Sequence, residues 1–324
     1  MSITEEQARA ALSQTLDHTD FSGLGALYRG KVRDVYRQDN RLVLVTSDRV
    51  SAFDHVLGTI PFKGEILNQI TLDGFTKTAD VLPNHVLFAP DPSVIVARAV
   101  KAYPIEFVVR GYITGSLWRD YQSGKAEAYQ LGLPPGLHKD HPLPGAPLLT
   151  PSTKAEIGLH DEPISKAEIL RRGLMTAPAL EAAEAAALAL FRRGAETALA
   201  RGLILVDTKY ELGTDQDGTL RVIDEIHTPD SSRYWIAEDH EERLARGEPQ
   251  RMLDKENLRE WLIKERGFSG QGTPPALDDG IRVRLALFYA DLYERLLGRP
   301  FVPSTEPPLP RIRRNLASHG LLAG

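Results

Sequence analysis

The sequence predicts an α+β fold, and three observations carry that reading. Strand-like and helical segments are mixed without the strict alternation of a doubly wound parallel sheet. Two pairs of strand-like runs are separated by short polar turns and read as hairpins. The length, 324 residues, suits about two domains at roughly 100–200 residues each.

Composition narrows the classes. Apolar residues make up 42% and charged residues 26% of the chain, the proportions of a chain that folds around a core, and no run of about 18 apolar residues marks a membrane span. Lys and Arg total 39 against 44 Asp and Glu, a net charge of −5. No global positive field would draw nucleic acid or an anionic membrane, so any anion must be met by a local cluster. With no cysteine, disulfides, thiolate zinc sites, iron–sulfur clusters and a cysteine nucleophile are excluded. The first residues are acidic and polar where a secretory signal is basic and then apolar, and Ser2 is no myristoylation site. A cytoplasmic location is expected.

The elements follow in order. Residues 1–20 read as a short helix running into a turn. Val32–Tyr36 and Leu42–Thr46 form the first hairpin, with the turn at 37–40 and Gly30 just before its first strand. Ser93–Ala97 and Glu106–Arg110 are further strands, and Pro104 suggests a boundary between lobes. Six prolines between Leu133 and Pro151 predict an irregular loop or lid. Ser165 and Glu168 have capping-box spacing and start a helix; the Ala-rich stretch Leu180–Arg201, ended by Gly202, is a second. Leu203–Asp207 and Leu220–Ile226 flank Asp217-Gly218 and form the second hairpin. Helical spacing returns at 255–266 and 281–297, the latter with Leu285, Phe288, Leu292 and Leu296 on one stripe. A proline-rich segment then leads to a basic tail at Arg311, Arg313 and Arg314. The expected division is 1–104, 105–250 and 251–324.

Four segments carry candidate chemistry. Gly25 to Lys31 satisfies the P-loop spacing, but Val32 stands where a magnesium-binding hydroxyl belongs, and no buried strand precedes it. What remains is a Gly-Lys loop opening a hairpin, which either folds over a triphosphate as a kinase glycine-rich loop does or is an ordinary turn with a surface lysine. In the second hairpin a two-residue turn would put Glu211 opposite Asp224, with Lys209 on the same face as Glu211. Facing carboxylates repel unless a cation sits between them or water solvates them. The pair is therefore either a magnesium site or a solvated face whose register a bulge at Gly213 shifts. Arg110 ends a strand before Gly111, Gly115 and Ser116, so a phosphate on Arg110, Ser116 and the amides of a helix start is one reading; a capping serine and a surface arginine is the other. The run Asp224–Arg233 has the composition of a polar substrate pocket. His55, His160 and His227 lack metal-ligand spacing and read as polar residues.

Five segments in order, Tyr28–Tyr36, Thr46–Asp54, Val108–Ser116, Leu205–Glu211 and Asp224–Trp235, resemble the SAICAR synthetase family, and the 133–151 loop and the tail after about residue 267 resemble its longer, yeast-type variant. The resemblance implies a two-lobed ATP-binding ligase with a β-rich N-terminal lobe (1–104), a mixed α/β substrate lobe (105–250) and a helical C-terminal segment (251–324) expected to pack on the second lobe. The implied reaction joins L-aspartate to the 4-carboxylate of an aminoimidazole ribonucleotide, CAIR, giving SAICAR, ADP and phosphate through an acyl phosphate in de novo purine biosynthesis. By the same resemblance Gly30, Lys31, Val32 and Arg33 cover the ATP phosphates and Lys154 reaches the nucleotide. Glu211 and Asp224 hold Mg²⁺; Arg110, Ser116 and Arg233 bind the ribonucleotide; Asp161, Lys209 and Asp230 surround aspartate, with Lys255 and Arg259. Lys209, Asp230 and Arg233 are the expected catalytic set. The expected partners are these small molecules, with no nucleic acid or membrane, and the chain is expected to be monomeric. A kinase-like phosphotransferase on a small alcohol and a non-enzymatic nucleotide-binding regulator are the rival readings.

Overall fold

The computed structural model describes every residue except 1–2, 54, 155–161, 254–255 and 324. His160, Asp161, Lys255, Asp54 and Ser2 therefore lie outside the described residues. The chain divides into two compact units, one of residues 1–73, 85–99 and 255–324, the other of 74–84 and 100–254. The fold is mixed α+β, as the sequence predicts.

The first unit opens with helix α1 (Glu5–Ala10), capped by Thr4 and Gln7 in a reciprocal capping box. Strands β1 (Ala26–Arg29), β2 (Arg33–Gln38), β3 (Arg41–Thr46), β4 (Arg49–Ala52) and β5 (His55–Thr59) follow, then α2 (Lys63–Lys77), β6 (Val86–Asp91) and β7 (Val94–Arg98). The β2–β3 hairpin turns at Asp39-Asn40, with Gln38 opposite Arg41. The five-stranded antiparallel sheet runs β1-β2-β3-β7-β6. Period two puts Val43 and Val45 on one face and Leu44 on the other, and both faces are buried in apolar clusters.

The second unit is built on β8 (Lys101–Arg110), α3 (Gly115–Gln122), β9 (Leu148–Leu149), β10 (Ser152–Thr153), α4 (Lys166–Arg171), α5 (Ala177–Leu199), β11 (Leu203–Thr214), β12 (Leu220–Ile223), β13 (Ser232–Ile236) and α6 (His240–Arg246). Helix α5 starts three residues before the predicted point because Thr176 caps it and Pro178 fits its first turn. The long strand β11 pairs with β8 along one edge; its other edge is shared, β13 taking 203–208 and β12 taking 211–214. The proline-rich stretch is irregular through most of its length, as expected. Leu133, Leu137, Leu143 and Leu148 pack with Ile113 and Leu117, and the stretch ends by pairing Leu148 and Leu149 with β8.

Helices α7 (Glu256–Arg266), α8 (Asp279–Leu297) and α9 (Pro308–Ser318) complete the first unit. The expected basic tail is instead α9, amphipathic enough to bury Ile312 and Leu316 in the sheet's core. Its Arg311 is buried, donating to Asp91 at 3.0 Å and to Glu65 at 3.1 Å. No helix among the described residues is long and apolar enough to cross a membrane.

Candidate active site

Strand β11 carries Asp207, Lys209 and Glu211 at alternate positions, which places them on one face. Asp207 stands opposite Arg110 of β8 and Arg233 of β13. Its Oδ2 accepts from Arg110 Nη1 at 2.8 Å and from Arg233 Nη1 at 2.6 Å. One carboxylate shared by two guanidiniums leaves this row positive. Arg110 also donates to Thr150 Oγ1 at 2.8 Å and to Ser116 Oγ at 3.1 Å. Ser116 lies in the first turn of α3, which no side chain caps; the Thr114 hydroxyl donates to Asp140 at 2.6 Å. Gly115 lies under Arg233: its φ is +55°, and a Cβ there would come within 2.6 Å of the guanidinium. Two guanidiniums, a hydroxyl and an uncapped helix start make a seat for a phosphate dianion.

The next row is of opposite sign. Glu211 stands directly opposite Glu106 of β8, an arrangement that repels unless a cation intervenes. Lys209 intervenes, with Nζ 2.7 Å from Glu106 Oε1 and 3.3 Å from Glu211 Oε1, and Lys154 donates to the other Glu211 oxygen at 2.5 Å. Burial alone would raise the Glu211 pKa, but the ammonium groups of Lys209 and Lys154 outweigh it and draw the carboxyl down to about 2. Burial would likewise strip the proton from Lys209; Glu211, Glu106 and Asp224 instead hold it charged, well above an ordinary lysine.

The predicted facing of Glu211 and Asp224 is corrected here. Glu211 faces Ile223, because the connection is not the two-residue Asp217-Gly218 turn. It spans 215–219, where Asp215 Oδ1 accepts from the amides of Asp217 and Thr219, both at 3.0 Å. The register moves by one residue, and a one-residue slip exchanges the faces of a strand. Asp224 follows the end of β12 with φ +66° and acts on Lys209 through its charge. The bulge considered at Gly213 falls in the β8 ladder, between Glu211 and Gly213, where a Cβ on Gly213 would lie 2.4 Å from the carbonyl oxygen of Lys101.

The 224–233 run folds on itself: Thr228 donates to Glu225 at 2.7 Å, and the amides of Asp230 and Ser231 donate to Thr228 Oγ1, both at 3.3 Å. Asp230 is half-buried on that turn. His227 is packed beside Gly194 and lies 2.7 Å from the Tyr210 hydroxyl; burial pushes its pKa down to about 3, so it is neutral and structural.

In the first unit, Gly30 to Val32 do not merely open a hairpin. They connect β1 to β2, whose last pair is Arg29 and Asp34, and the Gly30 amide donates to the Arg33 carbonyl at 2.8 Å. Lys31 is exposed. Arg259 is half-buried on α7 of the same unit. Sequence reasoning missed Glu106, Asp207 and Thr150. Asp207 carried a signal, as the first of three charges at period two in an apolar strand; Thr150 carried none.

A SAICAR synthetase family model matches residues 26–274. Phosphoribosylaminoimidazole-succinocarboxamide synthases of Bacteroides thetaiotaomicron and Bacteroides fragilis are 46% and 47% identical to this chain, each over 94% of it and 98% of the relative. The solved SAICAR synthase of Saccharomyces cerevisiae in complex with SAICAR superposes with a TM-score of 0.77 at 29% identity, covering 89% of this chain and all of the yeast chain. Similarity that runs through the β1–β2 loop, both charged rows of β11 and most of the remaining chain makes this protein a member of the SAICAR synthetase family, whose enzymes ligate aspartate to CAIR in purine biosynthesis.

Proposed function

We propose that this chain performs its family's ligation with the charged face of β11 as the surface that holds the ribonucleotide. Asp207 and Glu211 are four residues apart, about 13 Å along a strand, so the positive row takes the phosphate while the base carboxylate reaches toward Lys209. Arg110, Arg233 and Ser116 bind that phosphate. The observation that carries this reading is the change of sign along one strand, from two guanidiniums sharing one carboxylate to two facing carboxylates bridged by a lysine.

A carboxylate is a poor acyl donor. Its oxygen therefore attacks the γ-phosphorus of ATP, forming an acyl phosphate and releasing ADP; the aspartate amine then attacks the acyl carbon, loses a proton, and expels phosphate. Gly30, Lys31, Val32 and Arg33 cover the ATP phosphates. Lys154 leaves Glu211 for the nucleotide. Lys209 supplies the positive charge that the transferring phosphoryl and the acyl oxygens need. Asp230 orients the aspartate amine, and Asp161, Lys255 and Arg259 complete the aspartate site. Residues 1–104 serve the nucleotide, 105–250 the ribonucleotide and metal, and 251–324 support them.

The donor set suits magnesium of one kind. Among the described residues no three of His, Cys, Asp and Glu are grouped for a metal, and both Glu211 oxygens are engaged by lysines. Mg²⁺ is commonly held by one or two carboxylates with phosphates and water, so Glu211 and Asp224 fit an ion that arrives with the nucleotide. Such an ion would neutralise charge on the transferring phosphoryl group.

The test is ADP release with each substrate omitted in turn. Release that requires both CAIR and aspartate supports the ligase; release that persists when a small alcohol replaces both supports the kinase-like alternative; ATP binding without release supports the regulator. Sedimentation of the purified chain tests the expectation of a monomer, and fractionation of its host cells tests the cytoplasmic location.

A further inference from the structure

The β1–β2 loop is held from behind by donors with no assigned role in the reaction. Three consecutive carbonyls are taken. Arg49 Nη2 donates to the Gly30 oxygen at 3.0 Å, Arg49 Nε to the Lys31 oxygen at 3.1 Å, and Ser47 gives both its hydroxyl, at 2.8 Å, and its amide, at 3.0 Å, to the Val32 oxygen. Arg49 is buried, with its charge balanced by Asp34 Oδ1 at 2.8 Å, and it also donates to the Asp17 carbonyl. Asp34 is itself fixed, accepting from the Thr19 amide at 2.6 Å and the Thr19 hydroxyl at 2.9 Å.

In a planar trans peptide the N–H points opposite to the C=O. Tying the carbonyls of Gly30, Lys31 and Val32 to Arg49 and Ser47 therefore turns the amides of Lys31, Val32 and Arg33 away from those donors. Successive amides turned the same way form a concavity that suits an anion. The guanidinium is a rigid planar fork, so two of these carbonyls are held at a fixed separation, which an ammonium group cannot do.

We propose that Arg49 and Ser47 are positioning residues that preset the Gly30–Arg33 loop for the ATP phosphates by capturing its carbonyl oxygens. The proposal rests on the reading that this loop covers ATP. The loop is then not a flap that orders on binding; its ordering cost is met when the chain folds, and ATP affinity gains accordingly.

The test compares Ser47→Ala, Arg49→Lys and Lys31→Ala in the full chain, measuring KM for each substrate, kcat, melting temperature and calorimetric ADP binding. Loss of one neutral hydrogen bond predicts an ATP KM raised about fivefold in Ser47→Ala. Arg49→Lys keeps the charge and loses the fork, and a rise of about tenfold or more is expected. In both, KM for CAIR and aspartate should stay within about twofold of the parent, and ADP binding should weaken with the ATP KM. If Lys31→Ala weakens ATP use while the other two leave it unchanged, the positioning role is overturned and the loop reading stands. If Lys31→Ala leaves ATP use and ADP binding unchanged, both fall. A parallel rise of all three KM values with a lowered melting temperature also overturns the proposal, because it marks a purely structural role. Should Arg49→Lys fail to fold, Ser47→Ala alone decides between these outcomes.

Discussion

The two charged rows of β11 begin two residues apart and use the same kinds of side chain to opposite ends. In the first, Asp207 is outnumbered by Arg110 and Arg233; in the second, Lys209 and Lys154 stand among Glu106, Glu211 and Asp224. The sheet sets the difference through register. Each position of β11 has a fixed cross-strand partner, so reversing one partner's charge reverses the sign of its row. A surface built in this way presents opposite charge at its two ends before any loop moves.

The largest expected effect comes from removing the shared carboxylate. Asp207→Ala leaves the buried guanidinium of Arg110 facing the half-buried one of Arg233 and breaks the buried Arg110–Asp207 pair, a loss of about 3–5 kcal/mol in urea unfolding. Inorganic phosphate should restore part of it; a variant as stable as the parent would show that the row is not balanced by Asp207. Next is Lys209→Met, which leaves Glu106 opposite Glu211 with Lys154 alone. We expect turnover to fall about a hundredfold or more. The stability deficit should shrink at pH 5 relative to pH 8, since protonating either carboxylate relieves the repulsion. An equal deficit at both values would contradict the bridging role.

The third prediction uses acid. The Glu211 carboxyl lies at about 2 against its usual 4.5, so the stability it contributes is full above about pH 4.5 and is lost as pH falls toward about 2. Asp48, buried in the first unit and raised to about 6 chiefly by desolvation, runs the other way: its contribution is full below pH 3.8 and is lost as pH rises through about 6. Glu211→Gln should therefore flatten the acid limb of the urea midpoint below about pH 4.5, and coincident limbs would refute the assignment. Smaller again is Arg110→Lys, which keeps one charge and loses the bonds to Thr150 and Ser116; KM for the ribonucleotide should rise about tenfold with that for ATP unchanged. The smallest is Thr150→Val, about fivefold on the same KM. Thr150→Ser should restore it, which a packing role would not allow.

How much of this was legible depended on range along the chain. The β2–β3 hairpin was readable because its alternation and its Asp39-Asn40 turn are local. The repulsion argument for the second hairpin was sound physics attached to the wrong residue. Two carboxylates do face each other across a lysine, but Glu211's partner is Glu106, brought from more than a hundred positions away by the β8–β11 pairing. The assumed two-residue turn failed because Asp215 folds a longer loop around its own carboxylate. Arg311 read as part of a basic tail because its partners, Asp91 and Glu65, are more than two hundred residues upstream. Local signals gave the elements; the charged partners needed tertiary pairing.

That Arg311 contact bears on the order in which a growing chain can fold. All residues of the second unit have been made before residues 255–324, which belong to the first, are added. The first unit has its sheet strands by residue 98 but must wait for α9. Until Arg311 is synthesised, Asp91 and Glu65 lack the guanidinium that both carboxylates share in the folded protein. The unit whose strands come earlier in the chain is therefore finished after the other, so a nascent chain carries an incomplete first unit until α9 arrives.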